Sequence, residues 1–508
     1  MTPFNRLQRY RTPLAALLGL VATLGFPPFG LWPLSIAAFA GLFALTAGSG
    51  VRRSLWLGWV FGFAHFLSGI YWIFISTSIY GGAPAWLGVL LTVVLSGAYM
   101  APWPALALGL ATWLRVWTRP AGWLALPALW LLTELGRGHL LFDGFPWLSL
   151  GYVTVGTPLQ KLAPLAGVHG ISAVLVLLAY ALWQAVGGRG TQRRVALAAF
   201  ALTAAAIAVL PDPVRWTQAL GAPLDVAIVQ GDIPQEEKWL PEMQLPTLRA
   251  YRDMTLAVRG ADLVIWPEAA LTQTYDEVKE DYLDPLAAQL AQDGTTLLAG
   301  MLIEEKAGLN YYNSVVAIGA SQGRYDKRHL VPFGEYFPIP RWLRPLLDVL
   351  NTPYADLSAA RAPLPPIIAK GLRLGVTICF EDVFASDFRA AATDAALMVN
   401  VTNDAWFGHS AAAAQHLQMA RMRALETGRT VLRASNTGVS AVIGADGTLQ
   451  AAAGFFTRET LRAPAQPRSG TTPYVRLGNA PLWGLALVAI VVALRGRRGG
   501  AHGSLEVP

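Results

Sequence analysis

The chain has 508 residues, of which 54% are hydrophobic and only 14% charged, a balance that excludes a disordered chain and is hard to square with a wholly soluble one, where about a quarter of residues are charged. A single cysteine excludes an intramolecular disulfide framework and any cysteine-based zinc knuckle. The net charge of +7 is unevenly held, since residues 1–216 carry 13 Lys and Arg against 3 Asp and Glu while residues 217–476 carry 23 against 28, so the compact acidic part is not a nucleic-acid binder.

A bilayer core about 30 Å thick needs roughly 20 apolar residues per helix. Apolar runs occur at 13–28, 30–48, 54–76, 84–114, 121–136, 162–187 and 195–211, and again at 478–494. The first has an arginine-rich approach but no small-residue cleavage site after it, so it reads as a retained helix and not a signal peptide. The run at 84–114 is long for one span, with a kink expected at Pro102 and Pro104, and the run at 121–136 is short. Arginine clusters at Arg6/Arg9/Arg11, Arg52/Arg53, Arg115/Arg119, Arg189/Arg193/Arg194 and Arg495/Arg497/Arg498 fall in alternate connections. Because cytoplasmic loops retain Lys and Arg, these positions predict eight spans with both termini cytoplasmic, which sends 217–476 to the outer face. Within the runs the ionisable residues are few: His65, His169, and Glu134 with Arg137. That scarcity argues against an ion-coupled transporter and makes the two histidines hydrogen-bonded packing residues.

From residue 217 the pattern changes to short β-rich runs alternating with helical stretches. The strands expected are 224–230, 262–266, 295–303, 311–319, 372–379, 396–402, 430–435 and 438–444, with helices over 244–259 and 411–427. Strands rich in Val, Ile and Leu, separated by helices, predict an α/β domain with covered sheet faces. Residues 464–478 read as a linker into the last span. The division expected is thus 1–216 as a seven-span membrane domain, 217–476 as the outer domain, and 477–508 as the final span and tail.

Three polar residues stand at ends of expected strands. Glu268 follows DLVIWP, Lys327 follows YYNSVVAIG and a turn, and Cys379 closes LRLGVTIC. Functional groups converge at the carboxyl ends of strands in open α/β sheets. A thiol, a carboxylate and an ammonium together suit acyl transfer: attack, proton removal and oxyanion stabilisation. The thiol's ordinary pKa of about 8.5 is expected to fall beside a lysine. Each residue also has a plainer role, with Cys379 as a small core side chain, Glu268 as a helix cap and Lys327 as a solvated cation. His409 and His416 are seven apart with Asp404 nearby, but no metal-binding spacing is present, so no metal is expected. The 411–427 helix has a narrow Ala/Leu face, better suited to a sheet than to a membrane surface.

The blocks WPEAAL (266–271), YDKRHLVPFGEYFP (325–338), ICFED (378–382), NDAWFG (403–408) and QHLQMARMRALETGR (415–429) resemble the carbon–nitrogen hydrolase (nitrilase) superfamily. With the membrane runs on either side, the whole chain is similar to that superfamily's membrane-embedded lipoprotein N-acyltransferases. The resemblance implies a four-layer α-β-β-α sandwich. It implies Glu268 as general base, Lys327 as oxyanion support and Cys379 as nucleophile. Glu335 is implied as a second acid orienting the site, Glu381 as a further supporting residue, and Trp239 as part of a mobile lid over the substrate entrance. Phe380 departs from the family, where many members have Tyr, and puts any role of that hydroxyl in doubt.

The reaction implied needs no cofactor. Cys379 takes an acyl chain from a phospholipid, phosphatidylethanolamine being the expected donor, and passes it to the α-amine of the S-diacylglyceryl-cysteine of diacylated apolipoproteins. The implied location is the bacterial inner membrane, with the lipid bilayer as partner and the catalytic domain periplasmic. A membrane-tethered amidase or nitrilase acting on a soluble substrate is the alternative enzyme, and a transporter or scaffold with a non-catalytic outer domain is the alternative of another class. Loops 232–243 and 339–365 are expected to gate substrate entry.

Overall fold

The computed structural model describes residues 10–140, 143–305, 310–336, 357–362 and 364–499. These fall into two compact units, one of Met1–Phe74, Trp86–Pro211 and Leu477–Pro508, the other of Ile75–Ala85 and Asp212–Arg476. The second unit therefore takes in the stretch 75–85, which the sequence reads as the uncharged loop 77–83 and the adjoining ends of two membrane runs.

In the first unit, helices occupy the apolar runs: Arg11–Thr23, Trp32–Thr46, Val51–Gly69, Ala85–Trp113, Gly122–His139, Ala163–Gly187, Thr191–Val209 and Ala480–Gly499. Among the described residues three helices are long and apolar enough to cross a membrane, Ala85–Trp113, Pro158–Gly187 and Thr191–Val209. A fourth is added if Val51–Gly69 and Trp72–Tyr80, bent by 50°, form one span. The 85–113 helix runs on past Pro102 and Pro104. A π-turn at Leu95–Met100 precedes Pro102, which opens the next α segment, where its missing N–H costs little.

The ionisable residues inside these runs, His65, Glu134, Arg137 and His169, are each partnered. Thr23 Oγ1 lies 2.9 Å from His65 Nδ1, and His169 Nδ1 lies 3.3 Å from Glu134 Oε2. Glu134 also accepts from the Leu150 amide at 2.9 Å, and Arg137 donates to the carbonyls of Phe145 and Trp147. These bonds satisfy a loop that would otherwise carry open backbone groups among apolar helices.

The second unit is built on fourteen strands among the described residues. They are β1 (Gln218–Ala219), β2 (Leu224–Gln230), β3 (Leu263–Ile265), β4 (Thr296–Glu305), β5 (Asn310–Gly319), β6 (Gly323–Asp326), β7 (Ile368–Ala369), β8 (Leu372–Ile378), β9 (Leu397–Thr402), β10 (Val431–Ser435), β11 (Ala441–Ile443), β12 (Leu449–Ala452), β13 (Glu459–Ala465) and β14 (Arg468–Ser469). β1 pairs with β14, and the rest form two six-stranded sheets, in the orders β13-β2-β3-β4-β5-β6 and β12-β11-β10-β9-β8-β7. The centre of each sheet is parallel, β2 with β3 and β4 in one and β8 with β9 and β10 in the other, and the outer pairings are antiparallel.

Period-two alternation explains how the sheets stack. Val226, Ile228, Leu263 and Ile265 of the first sheet meet Val376, Ile378, Val399 and Val401 of the second in one core. The alternate residues of the first sheet, Ala227, Val229 and Val264, face Tyr251 of the Pro241–Leu256 helix and Leu286 and Leu290 of the Asp284–Gln292 helix. On the far face of the second sheet, Met398, Val431 and Ala441 pack against Phe388, Leu417, Ala420 and Ala424, from the Ala385–Ala392 and Ala411–Thr427 helices. The result is a four-layer α-β-β-α sandwich. The Ala411–Thr427 helix has its expected limits because Ser410 caps it, accepting from the Ala412 amide, and Gly428 ends it in the left-handed conformation.

Residues 464–478 are not a linker throughout. β13 extends to Ala465 and pairs with all of β2, β14 follows, and Pro473–Leu477 is helical. The stretch 75–85 also contributes structure: Ser76 Oγ donates to the Trp406 carbonyl at 2.8 Å, and Ile75 and Tyr80 lie against Gly408.

Candidate active site

Strand ends bring the three expected residues together. Glu268 follows β3 after Trp266 and Pro267, and this turn passes very close to Gly300 of β4. A Cβ on Gly300 would overlap the Pro267 carbonyl and Glu268 Cα, so no larger residue fits without displacing the carboxylate's backbone. Gly300→Ala is expected to lower the melting temperature and to slow the chemistry together, at a cost of about 1–3 kcal/mol typical of overpacking. Thermal unfolding of the purified chain with a parallel activity assay checks both.

Lys327 directly follows β6 and is buried, with its amide bonded to the Asn313 carbonyl of β5. Its Nζ donates to Glu268 Oε1 at 3.2 Å and to Glu335 Oε1 at 2.9 Å. Asn313 Nδ2 donates to the same two oxygens, at 2.8 and 2.9 Å. One ammonium and one amide thus hold two carboxylates side by side. Glu335 is fixed in turn by the Val331 amide, and Glu268 Oε2 by the Asn403 amide.

Cys379 stands after β8, at the start of a 3-10 turn over Cys379–Val383, with φ of +50°. A non-glycine residue held there stores strain, of order 1–3 kcal/mol, that the surroundings must over-determine. Glu381 does part of this. Its Oε2 accepts from the Ile378 amide and the Tyr325 hydroxyl, and its Oε1 from the amides of Arg328 and His329. The same carboxylate therefore clamps the Cys379 turn to the segment carrying Lys327. Phe380, lacking a hydroxyl, packs edge-on against Phe384 and His329.

Burial alone would raise the Glu268 pKa, but Lys327 and the Asn313 amide outweigh it and hold the carboxyl below its usual range. Burial would lower the Lys327 pKa, and the Glu268 and Glu335 carboxylates raise it above its ordinary value. For Cys379, burial and the Glu268 charge push the thiol well up, against the pull of Lys327. The lowering expected from a neighbouring lysine is overturned because burial disfavours the thiolate and the thiol faces the Glu268 carboxylate as well as the ammonium. With the Glu268 pKa held down and the Cys379 pKa pushed up, the resting pair is a carboxylate and a thiol, so the proton moves as the sulfur attacks.

Trp239 is half exposed. The loop before it is tied to the site at three points: Ile233 exchanges hydrogen bonds with Asn436, Gln235 accepts from Asn403, and Lys238 Nζ lies 3.4 Å from the Glu268 carbonyl oxygen. Of the expected gating loop 232–243, the first half is anchored, while Trp239, Leu240 and Leu245 beyond it are exposed. Most of the other expected gating loop, 339–365, lies outside the described residues.

Asn313 and Lys238 were not singled out from sequence. Asn313 interrupts an apolar strand, which is a usable signal, whereas Lys238 sits in a polar loop that gives none. Burial lowers the Lys238 pKa to about 8, against the attraction of Glu268. His416 has both ring nitrogens turned to carboxylates, and His409 stacks on Phe456. Among the described residues no group of three His, Cys, Asp or Glu has the geometry to hold a metal ion.

Residues 18–181 match the family model of the apolipoprotein N-acyltransferase N-terminal domain, and residues 225–474 match that of carbon-nitrogen hydrolase. The apolipoprotein N-acyltransferase of Methylococcus capsulatus is 40% identical over 504 residues, covering 96% of this chain and 97% of that protein. The apolipoprotein N-acyltransferase of Ralstonia nicotianae is 39% identical over 514 residues, covering 98% and 96%. A likeness to the crystal structure of a carbon-nitrogen hydrolase from Helicobacter pylori, 17% identical over 47% of this chain and 88% of that one with a TM-score of 0.37, is too slight to carry weight. With both family models in series and such identity along nearly its whole length, the chain belongs to the apolipoprotein N-acyltransferase family.

Proposed function

We propose that the protein transfers an acyl chain from a phospholipid to the α-amine of diacylated apolipoproteins through a thioester on Cys379. In the first half-reaction the Cys379 sulfur bonds to the ester carbonyl carbon while its proton passes to Glu268. Lys327 stabilises the oxyanion, and as the C–O bond breaks Glu268 returns the proton to the departing lysophospholipid. In the second, the amine of the N-terminal S-diacylglyceryl-cysteine attacks the thioester, gives its proton to Glu268, and leaves as the amide. That proton then goes to the Cys379 sulfur, and the site is restored. Glu335 keeps Lys327 charged and aimed, Glu381 holds the nucleophile's turn, and Trp239 belongs to the lid over the entrance. The observation that carries this reading is the bonding of Lys327 between Glu268 and Glu335, with Cys379 near enough for the charges of Glu268 and Lys327 to act on its thiol.

Phosphatidylethanolamine is the donor in this proposal, and the location is the bacterial inner membrane. The arginine positions support eight spans with cytoplasmic termini, residues 1–216 and 477–508 forming the membrane part and 217–476 a periplasmic catalytic domain. Substrates held in a membrane give a physical reason for joining this fold to apolar helices. A dry site also lets the thioester meet an amine before water does.

The test incubates the purified, detergent-solubilised chain with phosphatidylethanolamine and no acceptor, then measures intact mass and the peptide holding Cys379. An acyl-sized gain on that peptide, removed by hydroxylamine and discharged to a triacylated product by a diacylated lipopeptide, is the expected result. No adduct, with small amides hydrolysed instead, would replace this reading by a soluble-substrate amidase.

A further inference from the structure

Behind Cys379 lies a second group of charges that the acyl-transfer scheme does not use. Asp382, Asp404, His416 and Arg433 are all buried, and they come from four different elements: the nucleophile's turn, the turn after β9, the Ala411–Thr427 helix and β10. His416 Nε2 lies 2.6 Å from Asp382 Oδ1, and its Nδ1 lies 2.9 Å from Asp404 Oδ1. Arg433 takes the other oxygen of each carboxylate, Nη1 to Asp382 Oδ2 at 3.2 Å and Nη2 to Asp404 Oδ2 at 2.9 Å.

The protonation state follows from these contacts. Ionised carboxylates only accept, and Arg433 bonds to both, so each ring nitrogen of His416 must carry a proton. Arg433 Nη2 also lies 3.0 Å from His416 Nδ1, the separation that results when two donors share the two oxygens of one carboxylate. His416 is therefore an imidazolium, and the four charges sum to zero.

Three bridges run from this group to the nucleophile. Asp382 sits three residues beyond Cys379 in the same turn. Asn400 accepts from Arg433 Nη1 at 2.8 Å and donates to the Cys379 carbonyl at 3.4 Å. Thr402 follows Val401, the β9 partner of Ile378, and its Oγ1 donates to Asp404 Oδ1 at 3.1 Å.

We propose that Asp382, Asp404, His416 and Arg433 are positioning residues for the acyl transfer, holding the left-handed turn of Cys379 and setting the charge behind its sulfur, with His416 working as a buried imidazolium. This rests on Cys379 being the nucleophile. His416 is faced by Asp382, Asp404 and Arg433 from the elements packed on it, while Arg423 and Glu426 of its own helix pair with each other. Burial and Arg433 would lower its pKa, and the two aspartates raise it from 6.5 to about 9. The stability it contributes is fully present below its unfolded value and is lost as pH rises through about 9.

The test uses the full chain, whose one cysteine makes thiol alkylation specific. Iodoacetamide labelling is followed against pH, beside the rate of thioester formation from phosphatidylethanolamine. His416→Gln removes a positive charge and is expected to move the labelling midpoint up, while Asp404→Asn removes a negative one and is expected to move it down. Loss of one charge-assisted bond at the turn corresponds to thioester formation slowed about ten- to a hundredfold in His416→Gln. In the unsubstituted protein, the rate is expected to fall as pH rises through about 9, and this alkaline limb vanishes in His416→Gln.

Simple structural damage would shift both variants the same way, so opposite shifts support the proposal. Shifts of one sign, unchanged midpoints, or thioester formation within twofold would overturn it. If His416→Gln does not fold, Arg433→Gln, which also removes a positive charge, takes its place in the pair, and its midpoint is expected to rise while that of Asp404→Asn falls. Absence of any thioester on the unsubstituted protein would instead remove the nucleophile reading beneath it.

Discussion

Cys379→Ala is expected to gain no mass from phosphatidylethanolamine and to form no triacylated product, while keeping the melting temperature of the parent within a few degrees. The scheme has one covalent step, on the chain's one sulfhydryl, so the loss is complete and not graded. The fold has little to lose, because Cys379 is partly exposed at the rim of the sheet core and the turn is held by the bonds of Glu381, Asn400 and Asp382 to their neighbours. Intact mass after incubation with donor, and chromatography of the lipopeptide product, read the two halves separately. Acyl transfer by Cys379→Ala at a measurable fraction of the parent rate would mean direct transfer between substrates, with the thiol a bystander.

Lys327→Met is expected to have the next largest effect, and by a different route. It removes the cation that, among the described residues, bonds to both Glu268 and Glu335, and leaves the buried Glu268 carboxylate and the partly buried Glu335 carboxylate joined through the Asn313 amide. Loss of a preorganised oxyanion donor typically costs about 10²–10³ in rate, and breaking a buried ion pair about 3–5 kcal/mol in stability. The sign of the pH effect is fixed. Lys327 is the largest influence opposing burial at Glu268, so its removal raises that pKa and moves the acid limb of acylation to higher pH. In the parent, the limb lies below 4.5, and the stability contributed by ionised Glu268 is lost as pH falls through its folded pKa. Single-turnover acylation across pH 4–8 on both proteins, with thermal melts, measures both effects. An unmoved acid limb would show that Lys327 does not set the state of Glu268.

The sheets were legible because their residues obey simple periods. The parallel strands 224–230, 372–378 and 397–402 are continuous apolar runs, as strands covered on both faces must be, and the Ala411–Thr427 helix carries both its cap and its terminating glycine. β12 and β13 went unread because neither shows that signal: exposed alanines and glutamines in one, mixed charge and proline in the other. Of the site, the residues at strand ends were visible, since a lone carboxylate, ammonium or thiol after an apolar run stands out.

The residues that hold them were not visible. Asn313, Lys238 and the group around His416 act across sequence distances of 30 to 45 residues or through several elements at once, and no local pattern encodes that. His416 and Asp404 drew notice only as weak candidates for a metal, a role for which the contacts of the ring leave no free nitrogen.

The stretch Ile75–Ala85 lies in the chain between two apolar helices, yet it belongs to the same compact unit as Asp212–Arg476. Ser76 bonds the Trp406 carbonyl, and Ile75 and Tyr80 cover Gly408, at the turn that begins with Asp404. A fragment cut at 212 and 476 would therefore carry Glu268, Lys327 and Cys379 and still lack a wall of its own compact unit. That unit is not a cassette that one cut at each end can lift out, and any gene fusion or truncation that separates the two segments removes contacts of the turn that begins with Asp404.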